Sequence, residues 1–422
     1  MANPFRIGFI STRLAGTDGV SLETRKWVHV LRELGHQCFF MAGESEYPAE
    51  TSYVLPEMHF KHEAIQEIQQ KLFANDIYRS PEITTRIDAL KEYLKRHIYT
   101  FVRTFDIHVL ISENALSLPM NVPLGLALTE YIAETAQCTV GHHHDFYWER
   151  PRYLRSAARD YLNAAFPPTL PSMCHVVINS YAASQLAEKA SVTSTLIPNV
   201  MSFDEPPSPP DAYAQDIRQE LGLTPDEFFI LQPTRIVPRK RIELAIELVK
   251  RLDLPAALVI SHAAGDEGHE YETYLRNYAE MLQVKVIFAY DRIRRERGTT
   301  PQGQKIYSLA DVYQAADLVT YPSAIEGFGN AFLEAVYFKR PIVMNRYAIF
   351  LLDIEPKGFQ VITFDEFIPD RTVEETRKVL LHPESVVEMV EKNFQLGHKY
   401  FCMDILEQRL PSLLHETLGV SR

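Results

Sequence analysis

Apolar residues along this chain come mostly in runs of four to six, separated by amphipathic stretches. RIGFIS (6–11) has the length and composition of a buried strand. In residues 20–36, Val20, Trp27, Leu31 and Leu34 fall on one face of a helix and Gly35 marks its stop. QCFFMA (37–42) predicts the next strand. Strand, helix and strand with tight connections form a βαβ unit and predict a parallel sheet. The alternation continues with strands at 106–112, 138–141, 175–179 and 194–197. Between them lie helices at 57–104 (interrupted near Ser80-Pro81), 124–135, 152–165 and 182–189. PPSPP at 206–210 belongs to neither a helix interior nor a central strand. Beyond it a second alternation predicts strands at 228–232, 256–261, 284–288, 318–321 and 341–344. Its helices are at 242–252, 271–282, 309–315, 330–338, 373–381, 383–397 and 409–418. The reading is α/β: two Rossmann-like, doubly wound domains, 1–205 and 206–400, with a C-terminal helix in 401–422. Ligands of such sheets lie at the carboxyl ends of the strands, so a cleft between two facing domains is the expected site.

A length of 422 residues fits two domains better than one core. Hydrophobic content of 46% and charged content of 23% are globular values. A net charge of −12 argues against nucleic acid or an anionic membrane as the main partner. Cys38, Cys138, Cys174 and Cys402 form no C-x-x-C pair and are read as reduced thiols of a cytoplasmic protein. No signal peptide and no apolar run of about 18 residues is expected, hence no membrane span.

Four strand-end loops carry candidate chemistry. In SAIEGFGNAFLE (323–334), Glu326 precedes the turn Gly327-Phe328-Gly329. Asn330 is a cap for the following helix, and Glu334 lies inside it, about 6 Å along the axis from the cap. The glycines allow close backbone approach. The helix amides suit a phosphate, and the two carboxylates suit pairs of sugar hydroxyls. A solvated loop acid and a helix-surface acid give the same letters, so the strand-end position carries the functional reading. Arg235 and Lys240 flank a turn at Pro238 after the strand 228–232, a fork and a point charge suited to a diphosphate or a developing leaving group, though also to an ordinary basic loop. Gly16 and Gly19 lie between the first strand and helix, without the full dinucleotide spacing. Finally, GHHHDFYWER (141–150) ends the strand at 138–141. In an extended segment His142 and His144 share a side, with Asp145 a possible third ligand, but no metal site is expected and a contact to a sugar is favoured. Arg150, Arg152 and Arg155 follow, and with Arg13 and Arg25 suggest a cationic pocket, unless they are a solvated basic helix start.

These four pieces, in this order and over nearly the whole chain, resemble the retaining glycosyltransferases of family 4, with the GT-B fold. The E-x7-E signature stands at Glu326 and Glu334, the Arg-x4-Lys signature at Arg235 and Lys240, and residues 179–200 are similar to the family's approach between domains. The resemblance implies that Glu326 contacts the donor sugar, Glu334 the nucleotide ribose, and Arg235 and Lys240 the diphosphate. It implies a first-domain histidine, His142 ahead of His144, and a Gly16–Gly19 loop bordering the donor phosphate. The nucleobase would pack near Tyr290 and the segment from Ile306 to Leu309. The last helix would cross back to the first domain. No metal or cofactor is implied, since the leaving diphosphate itself takes the proton of the incoming hydroxyl. The co-substrates are then a nucleotide sugar and a small soluble anionic acceptor, held by Arg13, Arg25, Arg150, Arg152 and Arg155. UDP-glucose with fructose 6-phosphate, the sucrose-phosphate synthase pair, is favoured over GDP-mannose with a glycerate glycoside; both reactions make compatible solutes. A polysaccharide or lipid glycosyltransferase shares the donor-side motifs, and a nucleotide-sugar sensor is the non-enzymatic rival. Oligomeric state is not encoded in these motifs.

Overall fold

Strands buried on both faces need continuous apolar sequence, and the chain supplies it in pieces of about five residues. The computed structural model describes residues 4–16, 18–74, 77–264 and 270–420. It divides into two compact units: Met1–Val200 together with Met403–Arg422, and Met201–Cys402.

In the first unit the strands are β1 Arg6–Ile10, β2 Gln37–Ala42, β3 Ser52–Val54, β4 Val109–Glu113, β5 Thr139–His143, β6 Met173–Val177 and β7 Thr195–Leu196. They form one sheet in the order β3-β2-β1-β4-β5-β6-β7, parallel throughout. The order reverses between β1 and β4. At such a switch point the two neighbouring crossovers run to opposite faces and leave a crevice beyond the strand ends.

The second unit contains β8 Phe228–Gln232, β9 Ala256–Ile260, β10 Lys285–Phe288, β11 Ile293–Arg294, β12 Gly298–Thr299, β13 Lys305–Ser308, β14 Leu318–Tyr321, β15 Ile342–Asn345 and β16 Ile362–Phe364. Its main sheet has the order β10-β9-β8-β14-β15-β16, again parallel, while β11, β13 and β12 form a small sheet of their own. The switch point here lies between β8 and β14, whose loops carry the Arg235–Lys240 and Glu326–Glu334 motifs.

The first unit is discontinuous in sequence. The helix Gly19–Glu33 buries Trp27, Val28, Val30 and Leu31 in one core with Leu406, Leu410, Leu413 and Leu414 of the last helix, Asp404–Val420. The chain changes unit at Val200, ahead of the proline run. Val200 is buried in the first core, whereas Phe203 packs edge-on against Tyr337 and Phe394 of the second unit. Buried side chains, not the prolines, set the boundary; Ser208 within the run already accepts a hydrogen bond from Gln314.

Several elements differ from their sequence pattern. The helix expected at 152–165 is two, Pro151–Leu154 and Arg159–Ala165. The last helix is longer than 409–418 and runs through Pro411. The strand expected at 138–141 continues to His143, and this extension builds the site in the first unit. Among the described residues the four cysteines form no disulfide. Among the described residues no helix is long and apolar enough to cross a membrane.

Candidate active site

Each unit presents a group of polar side chains at its switch point. In the second unit the chain leaves β8 through Thr234 and Arg235, turns through the single 3-10 turn Pro238–Lys240, and enters the helix Ile242–Leu252. The loop after β14 lies alongside, joined by a bond from the Ala324 amide to the Arg239 carbonyl (2.9 Å). Lys240 donates its ammonium to Glu326 Oε1, and its Nζ stands 5.7 Å from the Tyr321 ring centroid. Both ends of this pair are buried. Burial pushes the Glu326 carboxyl up; Lys240, with Ser323 and Arg239, more than offsets it, so the carboxyl lies below its ordinary value and is ionised at neutral pH.

Gly329 holds φ at +120°, and a Cβ there would come within 2.3 Å of the Tyr347 hydroxyl, which donates to the Phe328 carbonyl at 2.8 Å. Only glycine fits this turn. It is Gly329 that occupies the cap position of the helix Asn330–Tyr337; Asn330, expected as the cap, is the first helical residue. The Phe328 side chain is buried, edge-on to Phe401, so this residue offers a ligand backbone only. Gly327 completes the turn. Glu334, one turn into the helix, accepts a hydrogen bond from Tyr313 at 2.8 Å.

Arg235 is exposed on its loop. Beside it stands a residue the motifs had not singled out, His262, just past the end of β9. Its segment is tied to the Arg235 loop through Ile236 N–H to Ala263 O (3.4 Å), and Ser261 Oγ lies 2.8 Å from its Nδ1. Burial, with Arg235 and Lys240 nearby, holds its imidazole down at about 4, so it is neutral. Its signal in the sequence was a histidine directly following an apolar strand. Tyr290 is half-buried against the sheet core with its hydroxyl on Glu272 at 3.0 Å. Ile306 is buried in β13, and its carbonyl accepts from Tyr213 at 2.9 Å; Leu309 opens the helix Leu309–Ala315. The structure thus gives Tyr290 and Ile306 packing roles in addition to the surface they offer.

In the first unit Glu113 ends β4 directly opposite His142 of β5. A carboxylate only accepts, so the ring nitrogens facing it carry hydrogens. His142 Nδ1 lies 3.0 Å and His144 Nε2 3.3 Å from the same oxygen, Glu113 Oε2. Trp27 stacks on His142 with centroids 4.1 Å apart. His143 points to the opposite face and meets His175 at 2.9 Å. Gly141 makes room for it, since a Cβ there would lie 2.8 Å from His143 Nε2. Asn114, at φ +60°, turns the chain after β4, and its side-chain oxygen accepts from the amides of His144 (3.0 Å) and Asp145 (3.3 Å).

Burial pushes Glu113 up, but the two imidazoles outweigh it and hold the carboxyl at about 2. Burial pulls His144 down, and Glu113 outweighs it, leaving His144 raised; in His142 burial wins and its value is lowered. The group therefore holds an ionised carboxylate, a neutral inner histidine and an outer histidine that favours its proton. His142 is wholly buried with Nε2 enclosed and unpartnered, whereas 7% of His144 is exposed. Of the two histidines expected at the sugar, His144 is the one with an outward edge. Asp145, considered as a third metal ligand, is instead paired with Arg150 at 2.9 Å. Glu113, His142 and His144 do place three donor atoms within 4.8 Å of one another, and in this structure Glu113 Oε2 joins the two imidazoles through its hydrogen bonds.

The cationic pocket is not assembled as expected. Arg13 pairs with Asp18 at 2.9 Å, and Arg25 with Glu46 at 2.8 Å and the Gly16 carbonyl at 2.6 Å. Asp18 also caps the helix that begins at Gly19. With Arg150 bound to Asp145, three of the five charges are offset by carboxylates. Arg152, over the Tyr153 ring, and Arg155 are exposed.

Residues 214–395 match the family described as "Glycosyl transferases group 1". The chain is 31% identical to the mannosylglucosylglycerate synthase of Thermotoga maritima, covering 96% of this chain and 98% of that one. It is 30% identical to the enzyme of the same name from Petrotoga mobilis, over 94% and 99% of the two chains. Among solved structures, the sucrose-phosphate synthase of Thermosynechococcus elongatus superposes with a TM-score of 0.69 at 14% identity, covering 98% and 99%, a likeness of fold. With two parallel Rossmann-like domains of the GT-B type and relatives along its full length, the chain belongs to the group 1 glycosyltransferases.

Proposed function

We propose that this enzyme transfers a mannosyl group, with retention, from GDP-mannose to a glycerate glycoside, forming a mannosylglucosylglycerate-type product. One observation carries the reading: both curated relatives that align over nearly the whole chain bear that enzyme name. The UDP-glucose and fructose 6-phosphate pair favoured by the motifs rests on likeness of fold alone, and gives way to what had been the alternative.

The second unit holds the donor. Arg235 and Lys240 meet the diphosphate, at the strand ends where an anion gains most from them. Glu326, ionised and held by Lys240, accepts hydroxyls of the transferred sugar, and Glu334 those of the ribose. His262, neutral beside the two cations, supplies a further polar edge without adding charge. The bond from the anomeric carbon to the phosphate oxygen breaks, and a bond to the acceptor hydroxyl forms on the same face. The hydroxyl proton passes to the departing diphosphate, whose charge the two cations stabilise. No metal or cofactor is used in this scheme. In the first unit His144 contacts the sugar, and the exposed Arg152 and Arg155 receive the acceptor's carboxylate.

Purified enzyme offered GDP-mannose or UDP-glucose, each with glucosylglycerate or fructose 6-phosphate, tests the proposal by product mass. Turnover is expected with GDP-mannose and glucosylglycerate and is lost in Lys240→Ala. Faster turnover of UDP-glucose with fructose 6-phosphate would restore the other pair.

A further inference from the structure

The acid behind the histidines has no role in the scheme above. Its position is nevertheless fixed from several sides. Glu113 is the last residue of β4, fixed in register against His142, and its backbone carbonyl accepts from Ser11 of the loop after β1 at 3.0 Å. Its side chain is closed off from solvent. A buried carboxylate is costly unless bonded, and Oε2 takes both bonds, while Oε1 has none. Asn114 clamps the His144 backbone from below, and Trp27 closes the far side of His142. The result is a stack of tryptophan, inner histidine and outer histidine, the two imidazoles 4.3 Å apart and both bonded by the carboxylate, with a solvent edge only on the outer one.

We propose that Glu113 is a positioning residue of the transfer reaction: it binds the Nε2–H of His144, fixing which ring nitrogen faces outward and keeping that imidazole charged where it meets the substrate. His142 completes the carboxylate's bonding and is a packing partner, not a substrate contact. The inference rests on the assignment of His144 to the substrate side. A charged outer imidazole gives the first unit a buried, oriented cation, which the paired arginines Arg13, Arg25 and Arg150 do not. It suits a sugar hydroxyl oxygen, to which it donates a charge-assisted hydrogen bond. The groups facing His144 are Glu113 from β4, Glu23 from the helix Gly19–Glu33, Asp145 from its own loop and the neighbouring His142. Glu23 is itself bonded to Lys26 and to the Val200 amide, so its charge is largely answered. The Tyr47 phenol also feels Glu113. Among the described residues Glu113 is the one acid hydrogen-bonded to the ring.

The sign follows. A neighbouring carboxylate favours the imidazolium, so replacing it by an amide of the same shape lowers the pKa of His144, by about one unit or more for a contact this close. In Glu113→Gln the limb of the kcat/KM against pH profile that belongs to His144 moves to lower pH, and at neutral pH kcat falls on the order of 100-fold with little change in donor KM. Glu113→Asp keeps the charge and recovers part of both. Imidazole NMR of the unliganded protein, with His144 assigned by comparison with His144→Ala, reads the same shift without reference to activity. An unchanged His144 titration in Glu113→Gln, or a pH profile displaced only in height, would overturn the proposal. Should Glu113→Gln not fold, Glu113→Asp carries the same titration, and an identical resonance position there with a full loss of activity would equally overturn it. Full turnover in His144→Ala would instead strike the assignment of His144 to the substrate, whatever the titration shows.

Discussion

At the scale of single residues the two units use one device, a buried carboxylate whose charge is answered by one or two partners. Lys240 and Glu326 form the tighter case. Removing one member of such a pair leaves the other charge uncompensated, whereas removing both leaves little to compensate. Lys240→Met is therefore expected to destabilise the second unit by about 3–5 kcal/mol, and adding Glu326→Gln is expected to restore part of that loss although both variants lack activity. Denaturant titrations of the two variants and the wild type measure this, and an additive double variant would show that the pair is not coupled. The pH dependence has a definite sign. Glu326 is held below its ordinary value of 4.5, so its contribution is complete above that value and fades as pH falls through the lower folded one. Glu326→Gln should flatten that acid limb.

At the scale of elements the turn between β14 and its helix is the most exacting piece. Gly329→Ala places a Cβ 2.3 Å from the Tyr347 hydroxyl at a φ of +120° that side chains avoid. The backbone must shift, and Glu326 and Glu334 shift with it. A loss of about 1–3 kcal/mol in stability and a raised donor KM are expected, measured by thermal melting and initial rates; an unchanged donor KM would show that the turn does not position the donor contacts. This element was legible in the sequence because Gly-x-Gly after an apolar strand is a local signal. So were β8 and the helix Ile242–Leu252, whose apolar periodicity is strong enough to fix their ends. The end of β5 was not: His142 and His143 are poor strand formers, and only pairing with β4 and β6 extends the strand to them. Glu113 was missed for a related reason, because a lone acid after VLIS resembles any loop residue until β4 is set beside β5. The arginine pocket was overestimated because Asp18, Glu46 and Asp145, which offset three of its charges, are unremarkable in sequence. The short strands β3 and β16, three residues each, carry no periodicity to read.

At the scale of the whole molecule, the two units differ in how the chain supplies them. The second is continuous from Met201 to Cys402, whereas the first is completed only by the last segment. Leu406, Leu410, Leu413 and Leu414 are each at most 2% exposed, in one core with Trp27, Val30 and Leu31. Burying each such side chain contributes about 1.5–3 kcal/mol, and four of them together rival the net stability of a domain, about 5–15 kcal/mol. A fragment of residues 1–200 is therefore expected to lack cooperative unfolding by circular dichroism, and to gain it when a peptide of residues 403–420 is added in trans. A fragment of residues 201–402 buries its own core, so it should fold alone. Because Arg235, Lys240, Glu326 and Glu334 all lie within it, it should also retain binding of the free nucleoside diphosphate while catalysing nothing. Calorimetry with GDP and UDP on that fragment separates base preference from acceptor chemistry: tighter binding of GDP than UDP agrees with a guanosine-linked donor, and equal binding would move the choice of donor away from the base. Loss of all nucleotide binding from a folded 201–402 would show that the first unit contributes to the donor site, with the loop at Gly16 the first place to look.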